Sequence, residues 1–413
     1  MALDMHGITL QLPDAGALAI GASLAVAFYI VWILSPTTSP FPVVNGKKRF
    51  ELSYSKARKR FATDARRLLK EAVAPVCSIL TENGYGLVFH SKYAKEISRH
   101  DGLSGSAFTD QDFYTGSMGR ITEPLSREAA DALQRRFTNN EEWHNISLKE
   151  AILQIIAQMS SRVFLGEEIC RDPDWLQITV QYTLNSVLAA TALRIWPKWL
   201  CPVIRTEPQR AREIILPVIE GRRKAKAAAI RLNQAPPRYL DALEWMEEKA
   251  HGRPYDPAVA RMGLSLTAIH TSSDMLTQLI YYIAGCTDLI RELREEAIGA
   301  LMDSVMKETQ RLKHLHVGTL FVSGECMWDA DVYENPDEFD PYRFLNQRSI
   351  PGQETAAQFV VPTRTHLASG LGKQACPGWF FAANEIKMCR MWLDANPFAS
   401  IAVQRRLDDG GVW

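Results

Sequence analysis

The chain has 413 residues, enough for one large domain or two of ordinary size. Hydrophobic residues make up 46% of it, which supports a substantial core. Forty-seven basic residues balance 47 acidic ones, and this zero net charge argues against nucleic acid as a partner. The seven cysteines are scattered and form no Cys-x-x-Cys pair. They therefore indicate neither a zinc site nor a disulfide framework, and they fit a reducing cytosolic compartment.

The first predicted element is a membrane anchor. Residues 15–34 carry no charge, and a helix of that length, at about 1.5 Å per residue, spans the bilayer core of roughly 30 Å. A cleaved signal peptide is the alternative, but the apolar run is long for one and no Lys or Arg precedes it. The basic residues 47–49 follow, which places the remainder in the cytosol. We expect an anchor over 1–35 with its helix at about 15–34, a proline-rich linker over 36–46 and a body over 47–413.

The body is predicted to be one mainly helical domain with a small β part. Apolar residues recur at helical spacing in 148–164, 175–193, 210–231 and 258–282. Strand signals are few and fall at 86–89 and 318–322.

A polar cluster, His-Thr-Ser-Ser-Asp from His270 to Asp274, interrupts the last of these helices. Two interpretations remain open. Either the hydroxyls bond back to the preceding turn and His270 is a satisfied core histidine, or the polar residues serve a function.

One cysteine lies in a glycine-flanked loop, Ser-Gly-Leu-Gly-Lys-Gln-Ala-Cys-Pro-Gly, directly before a helix predicted over 379–393. Backbone N–H groups at a helix N-terminus stabilise a thiolate. Gly372 and Gly378 let the backbone pass close to a flat, bulky group. Taken alone, Cys376 fits a buried structural cysteine, a metal ligand or a nucleophile. A dinucleotide fingerprint overlaps the loop without a clear preceding strand, and Gln374 stands where a P-loop needs Ser or Thr.

The order of the motifs carries more information than any one of them. Glu308 and Arg311 lie on one helix face, which alone indicates only a surface pair. Before them come the anchor and the His-Thr-Ser helix; after them come Asp-Pro-Tyr-Arg-Phe, ending at Phe344, and Gly-x-x-x-Cys-x-Gly. This order resembles the cytochrome P-450 family, and most closely its membrane-bound fungal branch, from the anchor to about residue 392. The sequences at 268–271, 328–344 and 375–387 look typical of fungal enzymes that oxidise terpenoids and other secondary metabolites.

The resemblance implies a haem-thiolate fold with haem b as its cofactor. Cys376 matches the axial ligand of the haem iron, whose thiolate favours cleavage of the O–O bond. The other cofactor-binding positions that it implies are Gly372, Gln374, Gly378 and Ala268.

Two further groups take roles from the resemblance. Glu308, Arg311 and Arg343 match a buried structural triad that locks a helix to the segment around the haem. Thr271 matches the alcohol that helps to deliver protons to bound dioxygen. His270 stands where many members have an acid, and a histidine can relay protons near neutral pH.

The implied reaction inserts one oxygen atom of O2 into a C–H bond of an apolar small molecule of terpenoid or indole-terpenoid type. Electrons would come from NADPH through NADPH–cytochrome P-450 reductase. The implied location is the endoplasmic reticulum membrane, with a single span and a cytosolic catalytic domain. Lys373, Lys387 and Arg390 flank the loop and either help to dock an acidic partner or are ordinary solvated cations.

The chain also departs from the family pattern. Ser369 replaces the usual Phe seven residues before the cysteine, and Gln374 replaces an Arg or His that bonds a haem propionate. Arg343 comes only 32 positions after Arg311 in the sequence, and the chain after Leu393 is a short tail. These features suggest internal deletions. They leave two alternatives to a working enzyme: a non-catalytic membrane protein with weak or no haem binding, and an NAD-binding enzyme built on the loop glycines.

Overall fold

A computed structural model describes the chain between residues 39 and 395, with gaps. The described ranges are 39–48, 51, 54–71, 74–81, 84–99, 118–137, 145–182, 206–250, 255–296, 299–313, 320–322, 325–372, 375–376 and 378–395. The predicted anchor helix at 15–34 lies outside them, as do Lys373 and Gln374. Within these ranges no helix combines the length and the apolar character needed to cross a bilayer.

The chain divides into two compact units. The first comprises the described residues up to Val88 together with Leu320 and Phe321, and the second comprises the rest. The first unit contains a four-stranded sheet in which neighbouring strands follow chain order: β1 (Val43–Val44), β2 (Val76–Thr81), β3 (Gly84–Phe89) and β4 (Leu320–Val322). Strand β1 runs parallel to β2, with Val43 opposite Ser78.

Helix α1 (Ser55–Lys70) packs against β2 in this unit. Its buried face includes Phe61, Leu68 and Leu69. The side chain of Asn45 ties the sheet to the helix, because its amide nitrogen donates to the carbonyl oxygens of Ala57, at 2.7 Å, and Leu80, at 2.9 Å. The prediction at 86–89 is confirmed as part of β3. The prediction at 318–322 is confirmed over 320–322, which form β4, while 318 and 319 lie outside the described residues.

The second unit is helical and holds the main core. Its helices are α2 (Ala94–Arg99), α3 (Met118–Phe137), α4 (Leu148–Leu165), α5 (Thr206–Arg231), α6 (Ala242–Ala250), α7 (Pro257–Ile283), α8 (Thr287–Glu296), α9 (Ala300–Leu312), α10 (Arg343–Arg348) and α11 (Trp379–Ala395). A further helical stretch covers 173–182. The helices predicted at 148–164, 210–231, 258–282 and 379–393 are confirmed; the one predicted at 175–193 is described only as far as 182.

Helix α4 lies at the centre of this core. Twelve of its 18 residues are buried, and it packs against α3, α7 and α11. A helix that is apolar on most sides is stable only where neighbours cover it. Helix α7 beside it begins sharply, because the Asp256 carboxylate accepts from the backbone N–H groups of Ala258 and Val259, and Pro257 suits the first turn.

Helix α9 organises the irregular chain that follows it. The Ser304 hydroxyl donates to the carbonyl oxygen of Pro341 at 2.6 Å. It also accepts from the backbone N–H groups of Phe344, at 3.1 Å, and Leu345, at 2.9 Å. These are N–H groups at the start of α10 that lack a partner within their own helix. A side chain of α9 therefore caps α10 from outside and fixes where that helix begins.

Candidate active site

Glu308 and Arg311 lie one turn apart on α9, and both side chains are fully buried. Arg311 donates from Nε to Oε2 of Glu308 and from a terminal nitrogen to Oε1, at 2.7 Å in each case. Its other terminal nitrogen donates to the carbonyl oxygens of Met327, at 2.5 Å, and Pro336, at 2.7 Å. The pair is therefore part of the interior and differs from the exposed surface pair that the spacing alone would indicate.

Arg343, at the first position of α10, completes the group. Its Nε lies 3.1 Å from Oε1 of Glu308, and a terminal nitrogen donates to the carbonyl oxygen of Glu334 at 2.6 Å. The backbone N–H of Asp340 also donates to Oε1 of Glu308, at 3.2 Å. The structure thus brings together the three residues predicted as a triad, and they hold the turns between Met327 and Arg343 against α9.

A second buried cation extends this anchorage towards the cysteine loop. Lys307 is fully buried, and its Nζ donates to the carbonyl oxygens of Ala356, Gln358 and Val361 at 2.7, 2.8 and 2.7 Å. Burial lowers the pKa of Lys307 to about 7, while the three carbonyl oxygens favour the charged ammonium. Next to it, Nε2 of the buried His366 lies 3.1 Å from the carbonyl oxygen of Lys307.

The cysteine loop is closed by its own backbone. The N–H of Cys376 donates to the carbonyl oxygen of Ser369 at 2.8 Å, and the N–H of Ala375 donates to that of Gly372 at 3.0 Å. Gly370 and Gly372 have φ values of 76° and 60°, which glycine adopts without strain. The loop therefore needs glycine at both positions. Cys376 lies at its end, immediately before α11.

The sulfur of Cys376 lies in a distinctive environment. The residue is exposed, and a Cβ at Gly378 would meet no described atom within 4 Å except this sulfur, at 3.9 Å. Partial burial of the sulfur raises the pKa of Cys376, whereas hydrogen bonds from the backbone N–H groups of Gly378 and Trp379 act in the opposite direction. Such bonds stabilise a thiolate at a helix N-terminus.

The other predicted residues lie on α7. The Thr271 hydroxyl is within bonding distance of the carbonyl oxygens of Thr267, at 2.8 Å, and Ala268, at 3.2 Å. His270 is half-buried, and its Nε2 has no hydrogen-bond partner among the described residues. Burial, and to a lesser extent Lys149, lower the pKa of His270. Of the two interpretations, back-bonding holds for the threonine hydroxyl, while the histidine keeps an unused ring nitrogen.

The predicted residues thus form three separate groups. The triad is on α9 and α10, Gly372, Cys376 and Gly378 are on the loop, and Ala268, His270 and Thr271 are on α7. In the described part of the chain, no hydrogen bond links the α7 group to the loop. Gln374 falls outside the described residues.

Two of the cations proposed for docking are engaged elsewhere. Lys387 donates to Oδ1 of Asp303 at 2.6 Å, and Arg390 is buried. Lys373 lies outside the described residues, so the interpretation of these residues as a docking patch loses two of its three members.

Sequence reasoning missed a buried acid on α11. Glu385 is fully buried, and its Oε1 accepts from the hydroxyl of Ser160 on α4 at 2.7 Å. Burial raises the pKa of Glu385 to about 8, against the smaller opposing effects of Ser160 and of Ser272 on α7. The signal was an acid four positions after Phe381 within an apolar helix, where a charged residue needs a reason to be buried.

Comparison with known proteins assigns the class. The sequence profile of the cytochrome P-450 family matches residues 318–393, which include the triad residue Arg343 and the cysteine loop. Curated relatives extend the match over most of the chain, and the chain belongs to the cytochrome P-450 family and is a monooxygenase.

Three fungal relatives illustrate this similarity. Cytochrome P-450 monooxygenase adrA of Penicillium rubens is 37% identical over 90% of this chain and 93% of its own length. The corresponding values are 37%, 92% and 90% for the monooxygenase esdpI of Penicillium shearii. They are 36%, 92% and 84% for the monooxygenase hepE of Aspergillus oryzae.

The same comparison shows that the chain is shortened internally. The match to adrA runs over 475 positions, whereas 90% of the 413 residues is about 372. About 100 positions of the alignment therefore face no residue of this chain. The shortening expected from the 32-residue interval and other missing segments is real relative to these proteins.

The residues present fit the haem iron that the family implies. An exposed cysteine with two N–H groups directed to its sulfur is a suitable thiolate ligand, and the open space at Gly378 leaves room beside it. The triad and Lys307 anchor the preceding segment firmly, as a ligand loop requires.

Proposed function

We propose that this chain is a haem-thiolate monooxygenase that oxidises an apolar secondary metabolite, with haem b ligated by Cys376. The observation that carries the proposal is the exposed Cys376, presented at the N-terminus of α11 by a loop closed through the bond from its own N–H to Ser369. A buried structural cysteine would not be held exposed in this way. Cys389, on α11, is by contrast a buried cysteine.

The loop residues would hold the group in complementary ways. Cys376 would supply the thiolate ligand, and hydrogen bonds from the N–H groups of Gly378 and Trp379 would stabilise its negative charge. Gly372 and Gly378 would allow close approach, Gln374 could donate a hydrogen bond to a propionate, and Ala268 would line the pocket. When bound, haem supplies the iron chemistry that activates dioxygen.

Thr271 and His270 are proposed to handle protons. Since the Thr271 hydroxyl donates to the backbone of its own helix, its lone pairs are left to accept a hydrogen bond from water or a ligand. His270, with a lowered pKa, is neutral near pH 7 and can both accept and donate a proton through its two ring nitrogens. Together they would keep an exchangeable proton beside the reacting oxygen.

Substrate, partner and location are extensions of the same proposal. The resemblance to the fungal secondary-metabolism branch is the basis for proposing a terpenoid or indole-terpenoid substrate. Electrons would come from NADPH–cytochrome P-450 reductase. We propose an anchor over 1–35, spanning at 15–34, a linker over 36–46 and a cytosolic catalytic body over 47–413 in the endoplasmic reticulum membrane.

The test is the absorption spectrum of the purified full chain, reduced under carbon monoxide. Wild type should show the long-wavelength Soret band of a thiolate-ligated haem. Cys376→Ser should lose that band, while Cys286→Ser, at an exposed cysteine outside the loop, should keep it. A wild-type spectrum typical of histidine ligation, or one without haem, would overturn the proposal.

A second candidate is a non-catalytic protein that binds haem weakly or not at all. The observation in its favour is the absence of about 100 alignment positions that the relatives have. Gln374 adds to it, because it offers a propionate no charge. Under this hypothesis Gln374→Arg should raise haem occupancy, measured as haem per chain after reconstitution. Unchanged occupancy close to one haem per chain in both proteins would contradict it.

A further inference from the structure

Ser369 connects two elements of the proposed site. Its hydroxyl accepts a hydrogen bond from the side-chain amide of Gln310 at 2.8 Å, and its carbonyl oxygen accepts the backbone N–H of Cys376 at 2.8 Å. One residue thus joins the helix that carries the triad to the loop that carries the cysteine.

Gln310 is well placed to act as a fixed point. It lies between Glu308 and Arg311, and the bonds that Arg311 makes to carbonyl oxygens outside the helix fix the rotation of α9. Lys307, on the same helix, holds the carbonyl groups of Ala356, Gln358 and Val361 upstream of Ser369. The Gln310 amide therefore extends from a helix that cannot easily turn or slide.

Ser369 occupies the position at which the family usually has Phe. A phenyl ring would hold the loop by apolar packing, which is large but not directional. A serine cannot replace that packing, because its side chain buries little apolar area. The bond from Gln310 supplies a directional restraint at the same place.

We propose that Gln310 and Ser369 form a positioning pair that sets the loop conformation in which Cys376 faces its ligand. The inference rests on the proposed function, since it concerns the residue proposed to bind the iron. The pair acts through the backbone: the amide of Gln310 orients Ser369, and the carbonyl of Ser369 then holds the N–H of Cys376.

The first test uses the haem-free protein, so it does not depend on haem binding. We would measure the rate at which iodoacetamide alkylates Cys376, by peptide mass spectrometry, in wild type, Gln310→Met, Ser369→Ala and the double variant. Each single variant should react several-fold faster at Cys376, and the double variant no faster than either, because one interaction is lost once. The rate at the exposed Cys286 is the internal control and should not change.

The second test uses the haem-loaded protein. Gln310→Met and Ser369→Ala should shift the reduction potential of the iron or convert part of the long-wavelength carbon monoxide band to a shorter-wavelength form. Ser369→Thr keeps the hydroxyl and should behave as wild type. Additive alkylation effects, or variants that change only the unfolding midpoint, would overturn the pairing. Failure of wild type to bind haem would overturn the proposed function while leaving the alkylation result to decide the pairing.

Discussion

Arg311 grips both carboxylate oxygens of Glu308, with two N–O distances of 2.7 Å and no solvent exposure on either side chain. A buried pair of this kind is stable as a unit, but removing one partner leaves the other charge buried without compensation. Glu308→Gln should therefore lower the free energy of unfolding by about 3–5 kcal/mol, measured by urea denaturation.

The exposed pair of Glu123 and Arg127 on α3 provides the control. Its side chains are 74% and 79% exposed, and its residues have i,i+4 spacing where the buried pair has i,i+3 spacing. Glu123→Gln should change the free energy of unfolding by less than about 1 kcal/mol. Equal effects of the two substitutions would show that the buried triad does not have the stabilising role assigned to it.

Lys307 should be as important for stability, although its Nζ donates to three neutral carbonyl groups and not to a carboxylate among the described residues. Lys307→Met keeps an unbranched chain of similar length but leaves the carbonyl oxygens of Ala356, Gln358 and Val361 without their donor. We expect the free energy of unfolding to fall by about 3 kcal/mol or more. Lys224→Met, at an exposed lysine of α5, should have little effect, and an equally small effect at Lys307 would contradict this account.

Glu385 should make the stability of the protein fall as the pH rises from acidic to neutral values. Burial raises its pKa to about 8 from the ordinary value, so the folded state holds a proton that the unfolded state has lost. The stabilisation is complete below about pH 4.5 and disappears as the pH rises through 8. Wild type should therefore lose stability relative to Glu385→Gln across this range, by on the order of 1 kcal/mol per pH unit.

Urea denaturation at several pH values between 5 and 8 measures this difference. The neighbouring groups are the hydroxyls of Ser160 and Ser272 and the thiol of Cys389, whose sulfur contacts that of Met159 at 3.3 Å. Glu123→Gln, which removes an exposed carboxylate, should run parallel to wild type. If Glu385→Gln runs parallel as well, Glu385 is not held as a neutral acid.

His366 should produce the opposite dependence, at acidic pH. Burial and the nearby Lys307 lower its pKa to about 3, so the folded state keeps it neutral while the unfolded state takes up a proton below about 6.5. Stability from this residue is present above pH 6.5 and is lost as the pH falls towards 3. Between pH 7 and 5, wild type should lose about 2 kcal/mol relative to His366→Gln. The half-buried His90 offers a control, and His90→Gln should not reproduce the effect.

The sequence allowed the main helices to be predicted because their apolar spacing is regular over several turns. Helix α4 is an example: apolar residues recur along 148–164, and the structure buries most of them. The triad could also be found, since Glu308, Arg311 and Arg343 lie in motifs whose order identifies the family. In both cases the signal is a spacing or an order of residues, which can be read directly from the sequence.

Other features could not be found because they depend on a contact across the fold. Ser160 and Glu385 are 225 positions apart, and nothing in either local sequence indicates the partner. Lys307 resembles a surface lysine until the carbonyl groups around it are known. Strand β2 is short and contains both apolar and polar residues without clear alternation, so its pairing with β1 had no sequence signature.

The short helix α9 has a consequence for how this region opens. Its 13 residues include Ser304, Lys307 and Arg311, which together bond to carbonyl groups spread from Met327 to Val361. The chain over that interval has little regular secondary structure, and α9 supplies hydrogen-bond donors to carbonyl groups along it. We therefore expect the interval and the helix to open together as one cooperative unit. A destabilising substitution anywhere in this unit would therefore weaken the whole segment that precedes the cysteine loop.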